Sequence, residues 1–218
     1  MLLSSRSLRL LLPVALFFGV SLAQGVTIEQ TLVLEQSGGL KAAYVYEIPN
    51  AAAGMLSELQ RQLSSRLGVS PNGGVLDEAA VRRQFSGIRG VYMENYACFQ
   101  LEDRQRVEFS VVALDASVAL ASGAFGPFRY TAAEGPAETG GSLELAMPSE
   151  AARRSADPAH AARLAELLGG FQMTLTITAP AVLHESSTGE ADGPMRRHWR
   201  LALPELMSNT LPTVLVKW

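Results

Sequence analysis

Apolar and polar residues alternate with period two through much of this chain, and that pattern restricts what the chain can build. Over residues 26–36, Val26, Ile28, Leu32 and Leu34 share one parity, while Thr27, Glu29, Thr31 and Glu35 take the other. An extended backbone turns successive side chains to opposite faces, so the stretch predicts a strand with one wet face. Ser37-Gly38-Gly39 is turn chemistry. Leu40, Ala42, Tyr44, Tyr46 and Ile48 then line one face of a second strand, which completes a hairpin closed by Pro49. Residues 91–102 and 107–113 predict another antiparallel pair, with Met93, Ala97, Phe99 and Leu101 on one face of its first member. The cleanest alternation sets Phe171, Met173, Leu175 and Ile177 against Gln172, Thr174, Thr176 and Thr178. Trp199, Leu201 and Leu203 mark a further strand, and residues 213–218 the last. Residues 125–131 and 143–147 predict two short strands, and residues 182–185 an extension of the sheet.

Helical spacing interrupts this pattern. Asn50 can cap a helix over residues 51–67, in which Leu56, Leu59, Leu63 and Leu67 form one apolar stripe. Asp77 can cap a shorter helix to about Phe85, with Val81 and Phe85 inward. Asp157-Pro158 opens a third, with Leu164, Leu167 and Leu168 inward and Gly169-Gly170 at its end. Residues 115–122 fit a short helix without excluding other structure. Helices and strands in blocks, joined by hairpins, predict an α+β fold: a mainly antiparallel sheet packed by about three helices. No repeat of fixed period appears, and residues 24–218 read as a single domain.

The N-terminus sets the expected compartment. Arg6 and Arg9 precede the apolar run of residues 10–20, and Ser21-Leu22-Ala23 supplies the small residues a signal peptidase reads. Residues 1–23 are therefore expected to be a signal peptide cleaved after Ala23, leaving a periplasmic or extracellular protein. Retention as an anchor is the alternative, but Pro13 breaks a run already short for a span of roughly 20 residues. No later segment is apolar enough to cross a bilayer. The one cysteine, Cys98, cannot form an internal disulfide and is expected to be a small buried hydrophobe.

Charge and motifs exclude several functions. Loss of residues 1–23 leaves 16 basic against 21 acidic residues, a poor balance for nucleic acid, which needs many phosphate-neutralising cations. His160, His184 and His198 lie in no metal-spacing motif, so no metal or other cofactor is expected. His184-Glu185-Ser186-Ser187 has the residue types of a hydrolytic triad. Neighbours on a strand face opposite ways, so the run cannot form one by itself. A hydrolase would have to pair His184 or His198 with a distant Ser or Asp. The expectation is that the chain is not an enzyme.

Two sets of residues are candidates for ligand binding. Tyr44, Tyr46, Met93, Phe99 and Phe109 could line an apolar pocket for acyl chains, or fill an ordinary core. Arg196, Arg197 and Arg200 cluster on one strand, and guanidinium forks suit an anionic head group.

The last third of the chain has a recognisable layout. Gly170-Phe171-Gln172-Met173-Thr174 opens a strand, Pro180-Ala181-Val182 follows, and a glycine-bearing turn spans residues 189–193. His198-Trp199-Arg200-Leu201 and a proline-broken final segment complete it. Together with the opening hairpin of residues 26–48, this resembles the LppM-type domain of bacterial envelope proteins. The resemblance implies an α/β lipid-binding module without catalytic residues. The chain departs from common members in lacking a lipobox cysteine and a C-terminal membrane helix. The expected function is an exported, non-enzymatic envelope protein that binds a lipid or another amphiphile. The alternative is an envelope scaffold with a filled core that binds a protein partner through its strand edges and loops.

Overall fold

The computed structural model describes residues 25–50, 53, 76–132, 140–145, 170–202 and 214–218. Its first sheet has seven strands. The opening hairpin is β1 (Thr27–Leu34) and β2 (Leu40–Pro49), joined by a turn in which Gly38 takes φ +86°. Next come α1 (Glu78–Phe85) and a second hairpin, β3 (Val91–Gln100) and β4 (Arg104–Ala113). After α2 (Ala116–Ala121) the chain forms β5 (Phe128–Thr131) and β6 (Ser142–Leu145). It returns with β7 (Gln172–Thr178), β8 (Glu185–Ser186), β9 (Glu190–Ala191), β10 (Arg196–Ala202) and β11 (Leu215–Lys217).

The large sheet runs β3-β4-β2-β1-β7-β10-β9, and the small one β5-β6-β11-β8. Neighbours are antiparallel except β1 and β7, which run parallel with Ile28 beside Met173 and Leu32 beside Ile177. Inward residues of both sheets and both helices form one core. It includes Leu32, Leu40, Val107, Leu175 and Ile177 from the large sheet, Phe85 from α1, Leu120 from α2, and Leu143 and Val216 from the small sheet.

The expected α+β arrangement of one sheet under about three helices is not what forms. The described residues are mostly strand, in two sheets, with two short helices of eight and six residues. Each helix is capped as local chemistry dictates: Asp77 accepts from the Ala80 amide at 2.6 Å, and Asp115 from those of Ser117 and Val118. The expected helix over 51–67 lies, apart from Ala53, outside the described residues, as does the one opening at Asp157-Pro158. The signal segment lies outside them too. The second sheet supplies cover that helices were expected to provide. Its strands are two to four residues long, too short for alternation to be read.

Two glycines allow this close packing. A Cβ on Gly141 would meet the Trp218 indole at 2.5 Å, and one on Gly189 would overlap the Trp199 indole. Each tryptophan ring therefore occupies the space that a side chain at the glycine would need.

Candidate functional site

The five expected pocket residues separate into two places. Tyr44, Tyr46 and Phe109 stack on one another, with ring centroids 4.7 Å apart for Tyr44–Phe109 and 5.8 Å for Tyr46–Phe109. Phe85 tilts against both Tyr44 and Phe109, and Phe125 against Phe85 at 5.2 Å. Met93 is buried in the same core. Burial holds the Tyr44 phenol well above its ordinary pKa and raises that of Tyr46 as well.

Phe99 is elsewhere, on the outer face and 47 % exposed. The register of β3 explains it: Met93 faces Val111, but the next paired residue, Asn95, faces Ser110. Glu94 is the extra residue of a β-bulge, so parity flips beyond it. Tyr96 and Cys98 take the inward parity, and Phe99 turns out. Cys98, expected to be buried, is exposed, because it sits near the end of an edge strand.

The three arginines also separate. Arg197 shares the inward parity of Trp199 and Leu201, and its guanidinium donates to Ser186 Oγ at 3.2 Å and the Gly193 carbonyl at 2.8 Å. Arg196 and Arg200 lie on the outer face, with His198 between them. Arg196 pairs with Asp192 at 3.3 Å, and His198 Nε2 lies 2.9 Å from Glu190. His184 is exposed, and His160 lies outside the described residues. Among the described residues no three His, Cys, Asp or Glu side chains converge to hold a metal.

A polar residue that the alternation passed over ties the layers together. Gln30 is buried on the inward face of β1. Its Nε2 donates to the Phe125 carbonyl at 2.6 Å and to the Tyr44 hydroxyl at 3.3 Å. Its position between Ile28 and Leu32 on an apolar parity was the available signal.

One end of the large sheet gathers exposed apolar side chains. Leu34, Leu40, Val91, Ala113, Thr178 and Arg196 all stand at that end by register. Hydrogen bonds link its loops in a row: Leu114 N–H to the Gly90 carbonyl, Ala116 N–H to Gly38, Gln36 Nε2 to Pro180, and Leu183 N–H to Pro194. Six large apolar side chains are exposed among the described residues, and four belong to this rim: Tyr92, Leu114, Val118 and Val182. Leu114 is 67 % exposed and Val182 62 %. Three cations share the rim. Lys41 pairs with Glu35 at 2.7 Å and Arg196 with Asp192, whereas exposed Arg89 has no ion-pair partner among the described residues. No helix among the described residues is long and apolar enough to cross a membrane.

No protein-family model matches the chain, and no curated protein matches it. Among solved structures, the chain is similar to the NMR structure of the folded domain of LppM from Mycobacterium tuberculosis. The identity is 10 %, the match covers 89 % of this chain and 90 % of that one, and the TM-score is 0.46.

Proposed function

We propose that this is an exported, non-enzymatic envelope protein, a single domain over residues 24–218, that binds a lipid or another amphiphile through its loop rim. The gathering of Tyr92, Leu114, Val118 and Val182 at one end of the large sheet carries the reading. Apolar side chains held in water at this end of the sheet, by strand, short helix and hydrogen-bonded loops, gain free energy on entering the acyl boundary of a bilayer, at about 25 cal/mol per Å² buried. Lys41, Arg89 and Arg196 stand where a phosphate head group would lie when those side chains dip. Arg196 is thus the expected head-group residue that this mode uses. Arg197 is engaged by Ser186 and Gly193, and Arg200 stands farther down the sheet.

The stack of Tyr44, Tyr46, Phe85 and Phe109 favours a lipid held at the rim over one held beneath β2 and β4. The same packing supports a second reading, an interaction domain with a filled core. The signal-like residues 1–23 support export.

Flotation with vesicles of phosphatidylethanolamine and phosphatidylglycerol tests the proposal. The exported chain floats, and the variant carrying Leu114→Asp and Val182→Asp stays at the bottom of the gradient. Equal recovery of the two proteins with the vesicles, or no flotation of either, overturns it.

A further inference from the structure

The charges of the loop rim come in opposed pairs, not as a cationic field. One cross-strand row at that end of the large sheet holds two of its cations. Tyr92 stands opposite Val112, Val112 opposite Lys41, and Lys41 opposite Val33. Val33 stands opposite Thr178, and Thr178 opposite Arg196. Lys41 lies between the inward-facing Leu40 and Ala42, so the row belongs to the outer face. Three strand spacings of about 4.8 Å separate Lys41 from Arg196, or about 14 Å along the rim.

Each of these cations has a carboxylate against it. Lys41 Nζ lies 2.7 Å from Glu35 Oε1, and Arg196 Nη1 lies 3.3 Å from Asp192 Oδ2. Glu94 acts on Lys41 as well. The Lys41 ammonium is held above its ordinary pKa by the Glu35 hydrogen bond first, and by Glu94 to a smaller degree. Both ion pairs are open to solvent, and pairs of that kind are weak enough to exchange partners. Asp115 caps α2. Among the described residues of the rim, Arg89 alone is an unopposed cation.

Resting on the reading that the rim docks on a bilayer, we propose that its occupant is a leaflet of zwitterionic phospholipid, whose head groups carry a phosphate and an ammonium together. The argument is charge complementarity. When Leu114, Val118 and Val182 enter the acyl boundary, a phosphate takes Lys41 or Arg196, and an ammonium takes Glu35 or Asp192. Each pair then trades one opposite charge for another, and none is left unopposed. An anionic head group completes only half of this exchange. It leaves Glu35 and Asp192 against a negative surface, and like charges brought together are costly. Recognition of an anionic leaflet calls instead for a cluster of about four to eight Lys or Arg. Tyr92, at the end of the row, supplies an apolar ring and a hydroxyl of the kind that settles at head-group level.

Flotation of residues 24–218 with vesicles of pure phosphatidylcholine, and with vesicles in which part of it is replaced by phosphatidylglycerol, tests the assignment. The protein floats with both. Phosphatidylglycerol raises the partition coefficient by no more than about fivefold, the effect of one unopposed cation at about 1 kcal/mol. The variant carrying Glu35→Gln and Asp192→Asn frees Lys41 and Arg196 and keeps the circular dichroism spectrum of the unsubstituted chain. Its partition onto pure phosphatidylcholine falls. Its gain from phosphatidylglycerol exceeds that of the unsubstituted chain by at least about fivefold, and high salt removes the gain. An unsubstituted chain that gains more than this from phosphatidylglycerol or floats only with it, or a variant that responds to it as the unsubstituted chain does, overturns the zwitterionic assignment and leaves rim docking standing. A chain that floats with neither kind of vesicle overturns rim docking itself, and this assignment with it.

Discussion

Gln30 Nε2 donates a 2.6 Å hydrogen bond to the Phe125 carbonyl, joining β1 at the centre of the large sheet to the loop that leads into the small one. The residues are 95 positions apart, and both are buried. The carbonyl would lose this donor in a Gln30→Leu variant. An unsatisfied buried acceptor costs about 1–3 kcal/mol, so urea denaturation of Gln30→Leu is expected to show a loss of that size. A midpoint equal to that of the unsubstituted chain would remove Gln30 from its tying role.

Gly189 and Trp199 form a second such contact. The indole occupies the space a Cβ would need, so Gly189→Ala is expected to lower stability by about 1–3 kcal/mol through overpacking. Trp199 Nε1 is buried without a hydrogen-bond partner among the described residues. Trp199→Phe removes that unmet donor along with some packing area, and the two effects offset each other in part. Thermal unfolding of the two variants should therefore place Gly189→Ala below Trp199→Phe, despite the smaller change in volume.

Burial of the Tyr44 and Tyr46 phenols predicts the alkaline limit. Their folded pKa values are raised above the ordinary value of 10.0. The folded state then holds protons that the unfolded state releases, so stability is unaffected below pH 10 and falls as pH rises above it. Phenolate absorbance from these two residues should appear together with the loss of the circular dichroism signal. Their ionisation in a chain that is still folded would show that the stack is open to water.

The bulge at Glu94 makes a prediction about deletions. Removing Glu94 leaves Met93 and Tyr96 on their present faces, because the bulge is what spends the extra residue. Removing Ala97 sets Tyr96 and Phe99 two positions apart and so on one face of β3, which forces one of them off its present side. Proteolysis should find the Glu94 deletion nearly as resistant as the unaltered chain and the Ala97 deletion far more sensitive.

The legible parts of the fold were those with long, regular alternation. β1, β2, β4 and β7 follow the parity of their apolar residues, from Ile28 and Leu32 to Leu175 and Ile177. Phe99 was placed on the wrong face because one inserted residue, Glu94, inverts parity without any marker such as glycine. The small sheet was only partly legible. Glu185–Ser186 is too short for periodicity, and its pairing with Val216 and Lys217 is set by distant chain. The parallel contact of β1 with β7 has no local signature for the same reason. Arg196, Arg197 and Arg200 looked like a cluster because they are near in sequence. Alternation along β10 sends Arg197 to the opposite face, and the strand's rise carries Arg200 away from Arg196. The rim was hidden because Leu114 and Val182 are single apolar residues in loops, where no periodic pattern marks them.

The most direct test of rim docking is nuclear magnetic resonance of residues 24–218 bound to vesicles doped with a spin-labelled lipid. The amide signals of Leu114, Val118 and Val182 should broaden, while those of Phe99, Leu101 and Gln172, at the opposite end of the sheet, stay sharp. Broadening centred on Phe99 and Leu101, or uniform along the large sheet, would contradict the account.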